Sequence, residues 1–314
     1  MYYIGIDLGG TNVAAGLVDE TGKLLGKASV PTPRGAEPVA DAIAQAAKMA
    51  ASDAGVALDQ VKSVGLTAPG IIDPEEGIVF RAVNMGLENV PLVELVSKRL
   101  GLPGTLENDA NAAALGEYVA GAGRGSKSLL AITLGTGVGA GAVLEGKLYT
   151  GFNYTAFEAG HTVIRRGGRL CNCGRRGCWE TYTSATGLIR STREAMDHHP
   201  ESALWKFAPT LEEVNGKTAF DAADAGDTVA QGVLNEYIED LACGLTNLIN
   251  VIQPQVVCVS GGIARQGERL LGPVREIVDR EEHNRSGKDR VQLRIAQLGD
   301  DAGVVGAALV PLYR

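Results

Sequence analysis

Four side chains that bind transition metals lie within a short stretch of the chain. Cys171, Cys173 and Cys178 fall close together, and His161 precedes the first of them by ten residues. Three thiolates and one imidazole form a complete tetrahedral set for Zn²⁺, with no open position for a substrate. The pattern predicts a structural zinc site; the alternative is three reduced surface thiols.

Two carboxylates flank this stretch, Glu158 before it and Glu180 after it. Metal binding orders a loop that would otherwise pay a large entropic cost to fold. A zinc ion within the loop 158–180 would therefore also fix these two carboxylates. We expect both of them on one wall of a functional site.

Two turns rich in glycine and threonine each follow a short apolar run. They are Gly9-Gly10-Thr11 and Gly135-Thr136-Gly137, and the pair Gly261-Gly262 follows another apolar run. Such turns expose backbone N–H groups, and glycine lets a phosphate approach the main chain closely. Ordinary tight turns would give the same pattern, so both interpretations stay open at this point.

Two aspartates stand at the ends of predicted strands. Asp7 directly precedes the first turn, where it could hold Mg²⁺ through water. Asp109 lies in Glu107-Asn108-Asp109-Ala110-Asn111, where a helix begins and its dipole favours an ionised carboxylate. A fixed, ionised carboxylate suits phosphoryl transfer, in which it accepts the proton of the acceptor hydroxyl. Asn108 and Asp109 are both candidates for the N-cap of this helix, and the alternative is that Asp109 only caps the helix.

The elements that must position these residues are short strands alternating with helices. Apolar patterning predicts strands near 3–8, 12–19, 23–31, 61–67, 104–107, 128–134, 138–145, 255–260 and 290–297. It predicts helices near 37–54, 91–100, 109–122, 265–282 and 302–312, and a largely helical stretch over 187–253. The sequence therefore predicts an α/β fold with mixed sheets.

The arrangement of a strand, a glycine–threonine turn and a second strand occurs twice, at 3–19 and at 128–145. This weak internal repeat suggests two similar lobes that face a cleft.

Composition limits the classes of function. The chain has 314 residues, of which 45% are hydrophobic and 21% charged, which is typical of a folded protein. Its net charge of −8 argues against nucleic acids and anionic membranes as partners. No apolar run approaches the ~18 residues of a membrane span, and the N-terminus does not resemble a signal peptide. We expect a cytoplasmic protein.

Several motifs, taken in order, resemble a known family. They are Asp7-Leu8-Gly9-Gly10-Thr11-Asn12, Glu107-Asn108-Asp109-Ala110-Asn111, Thr133-Leu134-Gly135-Thr136-Gly137-Val138-Gly139, Glu158-Ala159-Gly160-His161 and Cys171-Asn172-Cys173-Gly174-Arg175-Arg176-Gly177-Cys178-Trp179-Glu180. Together they resemble the ROK family of bacterial sugar kinases and repressors, most of all its glucokinases. The cysteine run is the most specific of these motifs.

The resemblance implies an actin-like ATPase (ribonuclease H-like) fold with two lobes around a cleft. It implies a small lobe over 1–112, with a C-terminal helix at 301–314 packing back on it, and a large lobe over 113–300. It also implies ATP, Mg²⁺, a structural Zn²⁺ and a homodimer or homotetramer. Because the phosphate motif begins at Asp7, we do not expect the DNA-binding domain of the repressors.

The resemblance also implies residue roles. Asp109 takes the place of the general base. The sugar would be bound by Gly70, Asn84, Asn108, Asp109, Glu158, His161 and Glu180. The nucleotide would be bound by Asp7, Gly9, Gly10, Thr11, Asn12, Gly135, Thr136, Gly137, Gly261 and Gly262. Zinc would be held by His161, Cys171, Cys173 and Cys178.

The implied reaction is ATP-dependent phosphorylation of a hexose at its 6-hydroxyl, with glucose as the leading substrate. Fructose, mannose, allose and N-acetylhexosamines remain alternatives, and so does a sugar sensor without catalysis; polyphosphate is a further possible donor. The chain departs from the family at residues 152–157, Phe-Asn-Tyr-Thr-Ala-Phe, where small glycines are usual. Bulky aromatics at this place would alter the sugar pocket.

Overall fold

A computed structural model describes every residue from Met1 to Arg314. The chain divides into two compact units: the first comprises Met1–Ala131, Gly141–Phe157 and Ala296–Arg314, and the second comprises Ile132–Ala140 and Glu158–Ile295. The lobe boundary at residue 112 stays a prediction. None of the helices combines the length and apolar composition that crossing a membrane requires.

Thirteen strands and ten α-helices make up the fold. The strands are β1 (Tyr2–Leu8), β2 (Asn12–Asp19), β3 (Leu24–Pro31), β4 (Val61–Thr67), β5 (Ile71–Asp73), β6 (Ile78–Ala82), β7 (Leu87–Val90), β8 (Gly104–Glu107), β9 (Leu129–Leu134), β10 (Val138–Leu144), β11 (Lys147–Tyr149), β12 (Val256–Ser260) and β13 (Gln292–Ile295). The helices are α1 (Ala36–Asp53), α2 (Leu92–Leu100), α3 (Asp109–Ala120), α4 (Glu180–Thr183), α5 (Ala185–His198), α6 (Leu204–Phe207), α7 (Thr218–Asp224), α8 (Thr228–Ile252), α9 (Glu268–Glu281) and α10 (Ala302–Tyr313).

The first sheet has the strand order β3-β2-β1-β4-β8. Strand β1 pairs antiparallel with β2 and parallel with β4, and β4 pairs parallel with β8. In this register Asp7 lies opposite Thr67, and Thr67 lies opposite Glu107. The carboxyl ends of the three parallel strands therefore meet at one edge, directly before the first turn and before α3.

Helix α10 packs on the first sheet at backbone contact distance. A Cβ atom added to Gly5 would lie 1.8 Å from the Val304 carbonyl oxygen, and one added to Gly65 would lie 1.7 Å from that of Ala307. Only glycine fits at these two strand positions. The helix is largely buried, as its apolar composition predicts.

The second sheet has the order β11-β10-β9-β12-β13, and β12 runs parallel to β13. The repeated strand–turn–strand arrangement is confirmed in β1–β2 and β9–β10, and the predicted helical stretch separates into α5 to α8.

The third sheet, β5-β6-β7, is antiparallel, and sequence patterning missed it. Its strands have only three to five residues, too few for alternation to be distinguished from a loop. The same shortness concealed β11.

Candidate active site

The junction between β8 and α3 holds Asp109 at the first position of the helix. Asn108 is the N-cap: its side-chain oxygen accepts hydrogen bonds from the N–H groups of Ala110 at 2.9 Å and Asn111 at 3.2 Å. The sequence left Asn108 and Asp109 as equal candidates for this cap. Asn108 performs it, and Oδ1 of Asp109 also accepts the Ala110 N–H, at 2.8 Å.

The pKa of Asp109 is raised above the ordinary aspartate value of 3.8. The largest cause is partial desolvation by the surrounding protein, although Asp109 is an exposed residue. The negative charge of Asp7 raises the pKa further, while the Ala110 N–H lowers it. The helix dipole, which we expected to favour the ionised form, is therefore opposed by desolvation and by Asp7, and Asp109 is a stronger base than a free aspartate.

Asp7 is oriented by a residue that the sequence analysis did not identify. The hydroxyl of Thr67, which is fully buried, donates a hydrogen bond to Oδ1 of Asp7 at 2.7 Å. Thr67 could have been identified from its position, because it is the last residue of the predicted strand 61–67. With one oxygen bound to Thr67, the other remains available for a ligand.

The first turn is closed by a hydrogen bond from Gly9 N–H to the Asn12 carbonyl at 3.0 Å. Thr32 follows the last residue of β3, and its hydroxyl stabilises the turn by donating a hydrogen bond to the Gly9 carbonyl at 2.7 Å. Gly10 and Thr11 are exposed, and no atom lies within 4 Å of a Cβ added to Gly10. The turn therefore offers accessible backbone, as phosphate binding requires.

Gly70 and Asn84 belong to the same unit. Gly70 has φ +95°, and a Cβ there would lie 2.1 Å from the Arg81 carbonyl oxygen, so this position requires glycine. Asn84 is exposed in the 3₁₀ turn Val83–Met85, which joins β6 to β7.

The four predicted metal ligands converge in the second unit. The ligand atoms of His161, Cys171, Cys173 and Cys178 all lie within 4.8 Å of one another. Nδ1 of His161 is 3.6 Å from Sγ of Cys171, and the sulfur atoms of Cys173 and Cys178 are 3.7 Å apart. A tetrahedral zinc ion with ordinary bond lengths places its ligand atoms roughly 3.6–3.8 Å apart. The cluster therefore fits a structural zinc ion.

The thiols of the cluster have perturbed pKa values. Burial raises the pKa of Cys171 to about 12 and also raises that of Cys178, whereas the Arg175 N–H lowers the pKa of the exposed Cys173. Because zinc binds thiolates, metal binding must displace protons from the buried pair. The loop is closed around the cluster by a hydrogen bond from Cys171 N–H to the Arg175 carbonyl at 2.9 Å.

The metal cluster contacts both carboxylates that flank the loop. Oε1 of Glu180 lies 3.5 Å from Sγ of Cys171, and its Oε2 accepts the Val138 N–H at 3.1 Å. Nε2 of His161, the ring nitrogen turned away from the thiols, lies 4.0 Å from Oε2 of Glu158. The predicted grouping of Glu158, His161 and Glu180 is thus present within one unit.

The second turn is attached to the start of α5. The Ala185 N–H donates to the Gly135 carbonyl at 2.8 Å, and the Thr186 hydroxyl donates to the Thr136 carbonyl at 2.9 Å. A Cβ on Gly137 would lie 2.3 Å from Oε2 of Glu180, so any larger residue would displace this carboxylate from its observed place.

Gly261 and Gly262 follow β12 in the same unit. Gly261 has φ +91°, and a Cβ there would lie 2.4 Å from the Leu134 carbonyl oxygen. Gly262 has helical backbone angles and open space around a Cβ position. The first glycine is therefore structural, and the second leaves room for a ligand.

The predicted site residues fall in both units. The first unit holds Asp7, Gly9, Gly10, Thr11, Asn12, Gly70, Asn84, Asn108 and Asp109. The second holds Gly135, Thr136, Gly137, Glu158, His161, Cys171, Cys173, Cys178, Glu180, Gly261 and Gly262.

Comparison with known proteins agrees with the resemblance seen in the motifs. The model of the ROK family matches residues 3–312. A glucokinase of Thermotoga maritima is 41% identical over 311 residues, which cover 98% of this chain and 96% of the relative.

Two solved structures extend the similarity to the backbone. The ROK family glucokinase of Streptomyces griseus, in complex with glucose and AMPPNP, is 39% identical, with a TM-score of 0.78 and coverage of 98% of both chains. The ROK hexokinase of Thermus thermophilus is 35% identical, with a TM-score of 0.84 and coverage of 99% of this chain and 97% of that one. The predicted α/β, actin-like ATPase fold with mixed sheets is confirmed by these neighbours.

Proposed function

Because the chain belongs to the ROK family, we propose that it transfers the γ-phosphoryl group of ATP to the 6-hydroxyl of a hexose, with glucose as the first substrate. One observation carries the proposal: similarity over almost the whole chain to a glucokinase that was solved with glucose and AMPPNP. The location and pKa of Asp109 support it from the chain's own residues.

Asp109 accepts the proton of the 6-hydroxyl as that oxygen attacks the γ-phosphorus. Its pKa is raised towards neutral pH, and a general base works best when its pKa lies near the operating pH. Proton loss in phosphoryl transfer occurs late, so a carboxylate suffices and positioning matters most.

The hexose hydroxyls are held by Asn84, Asn108, Asp109, Glu158, His161 and Glu180, with the Gly70 backbone nearby. In this proposal His161 has two functions, because its Nδ1 faces the thiols while its Nε2 faces Glu158.

The phosphates of ATP meet the turns at Gly9–Asn12 and Gly135–Gly137, and the adenosine lies near Gly261 and Gly262. Asp7 would hold Mg²⁺ with the oxygen that Thr67 leaves available, through water. When bound, Mg²⁺ neutralises charge on the phosphates. The backbone N–H groups of the two turns stabilise the remaining phosphoryl charge.

A zinc ion at His161, Cys171, Cys173 and Cys178 is structural in this proposal. With four protein ligands it has no open position, so its contribution is to hold His161 and Glu180 in place. The oligomeric state, a homodimer or homotetramer, and the cytoplasmic location stay predictions.

The aromatic segment before Glu158 favours a second candidate, a kinase for another hexose. Tyr154 and Phe157 have positive φ angles of 62° and 63°, and Phe157 packs edge-on against Tyr149 at 5.7 Å between ring centres. Positive φ is costly for aromatic residues and persists only where surrounding contacts hold the backbone. The contact between Phe157 and Tyr149 is one such contact. This loop conformation would change the space available around the sugar and with it the choice among glucose, fructose, mannose, allose and N-acetylhexosamines.

A coupled assay over these hexoses tests the proposal, with ATP and polyphosphate as alternative donors. We expect the highest kcat/KM for glucose with ATP. A higher value for another hexose would change the proposed substrate but not the proposed reaction. Sugar binding without consumption of any donor would instead identify a sensor and refute the kinase.

A further inference from the structure

Glu107, the last residue of β8, carries a fully buried carboxylate two positions before Asp109. Its Oε1 accepts a hydrogen bond from the Asn108 N–H at 2.9 Å and another from Nδ2 of Asn111 at 3.0 Å. Asn108 and Asn111 stand on either side of Asp109 in the chain. One carboxylate therefore holds the backbone before the base and a side chain after it.

Arg314 supplies the positive charge for this carboxylate. Its Nη2 lies 3.0 Å from Oε2 of Glu107 and also donates to the Leu106 carbonyl. The Arg314 side chain is 29% exposed and that of Glu107 is 0% exposed. This is not a surface ion pair, because a carboxylate so buried is poorly solvated without its cation. The planar guanidinium can bind the carboxylate and the carbonyl together, which an ammonium group does less well.

The packing of two helices determines where Arg314 lies. A Cβ on Gly306 of α10 would be 1.7 Å from the Ala112 carbonyl oxygen, and one on Gly116 of α3 would be 2.2 Å from that of Ala302. These contacts mean that α10 and α3 run antiparallel with their backbones touching. The end of α10, after which Arg314 follows, therefore lies beside the start of α3, where Asp109 stands.

The orientation of the Asn111 side chain depends on its hydrogen bond to Glu107. Its Nδ2 donates to Glu107, and its buried Oδ1 has no hydrogen-bond partner. The amide is thus held by one bond, to Oε1 of Glu107. If the Glu107 carboxylate turned away, the Asn111 side chain and the Asn108 N–H would both lose their acceptor.

We infer that Arg314 is a positioning residue for Asp109 and that it acts through Glu107. The inference rests on the proposed role of Asp109 as the general base. Loss of the guanidinium loosens the junction that fixes Asp109, and a displacement of about 1 Å in an active site costs on the order of 100-fold in rate.

Arg314→Gln and Arg314→Lys test this inference against a matched control, Arg290→Gln. In the second unit Nε of Arg290 contacts Oε1 of the buried Glu282, with side chains 30% and 2% exposed, so its surroundings resemble those of Arg314. We expect kcat to fall about 10- to 100-fold in Arg314→Gln, less in Arg314→Lys, and KM for ATP to change less than about 3-fold. Arg290→Gln should lose stability while its folded fraction keeps its kcat.

Rescue by guanidinium ion separates positioning from a general loss of structure. Because the Arg314 side chain is partly exposed, free guanidinium can reach its place in Arg314→Gly. About 20 mM guanidinium chloride should restore part of the lost kcat, since the free ion has the same planar set of N–H donors as the arginine side chain. Sodium chloride at the same concentration should restore none.

Hydrogen exchange at the Ala110 and Asn111 amides supplies a readout that does not require catalysis. We expect faster exchange in Arg314→Gln than in the unaltered protein. Unchanged exchange, or a loss of kcat no greater than in Arg290→Gln at equal folded fraction, would overturn the inference. If the unaltered protein phosphorylates no hexose, the proposed function fails, while the exchange experiment still decides whether Arg314 holds this junction.

Discussion

Nδ1 of His161 lies 3.6 Å from Sγ of Cys171, the separation between two ligands of one tetrahedral zinc ion. The other ring nitrogen of His161 faces Glu158, at 4.0 Å from its Oε2. One imidazole thus joins the metal cluster to a predicted sugar-binding carboxylate. Removal of the metal should therefore affect both stability and substrate binding.

Cys173→Ser should abolish stoichiometric zinc binding, because the remaining three ligands no longer complete the tetrahedron. We expect about one zinc ion per chain in the unaltered protein, a lower melting temperature in the variant and a raised KM for the sugar. Metal analysis, thermal unfolding and kinetics measure these three effects. Cys243→Ser is the control, since Cys243 lies outside the cluster. Equal zinc content in both variants would contradict the assignment.

Zinc should be lost more readily as the pH falls. Burial raises the pKa of Cys171 and Cys178, so protons compete with the metal for these thiolates. Competition with a chelator, followed from pH 8 to pH 6, should show weaker apparent zinc affinity at each lower pH. An affinity independent of pH would mean that the thiolates are not the ligands.

The acid limb of the kcat/KM profile should lie above the ordinary aspartate value of 3.8, because the pKa of Asp109 is raised. The negative charge of Asp7 is one cause of this rise, so Asp7→Asn should move the acid limb to lower pH in whatever activity remains. The exposed Asp59→Asn is the control and should leave the limb in place. A limb that does not move would show that Asp7 has no electrostatic effect on the base.

Asp109→Asn should stabilise the folded protein at pH 7. The folded state raises the pKa of Asp109, so ionisation above that pKa disfavours folding, and the penalty disappears once the pH falls below 3.8. We expect the melting temperature of the variant to be higher at pH 7, and the difference to shrink as the pH falls towards 3.8. A variant that melts lower at pH 7 would contradict the desolvation of this carboxylate.

Gly261→Ala and Gly262→Ala form a matched pair. Alanine at position 261 combines a φ of +91° with a Cβ 2.4 Å from the Leu134 carbonyl oxygen, whereas position 262 is helical and open. We expect the first variant to lose at least about 2 kcal/mol of unfolding free energy and the second to change by less than about 1 kcal/mol. Denaturant unfolding measures both. Equal losses would show that Leu134 does not approach Gly261 so closely.

Sequence patterning predicted β1 and α3, which carry Asp7 and Asp109, because these elements are long enough to show a period, but it missed β6 and β7 on either side of Asn84. It also predicted that His161, Cys171, Cys173 and Cys178 form a cluster, because these four residues lie close together in the chain. It could not choose between Asn108 and Asp109 as the helix cap, since both residue types suit that position. The backbone geometry decides for Asn108.

Other contacts had no local signal. Thr67 meets Asp7 only through the parallel register of β4 on β1, sixty residues away. Arg314 meets Glu107 across 207 residues, through the packing of α10 on α3. Such pairs depend on how sheets and helices assemble, and neither composition nor spacing contains that information.

The kinetics of Asp109→Asn, measured together with glucose binding, test the central proposal most directly. The substitution keeps the shape and removes the proton acceptor. We expect kcat to fall by about 100- to 10,000-fold, the range for a positioned general base, while the Kd for glucose measured by calorimetry stays within about 5-fold. Turnover close to that of the unaltered enzyme would contradict the role of Asp109 as the base.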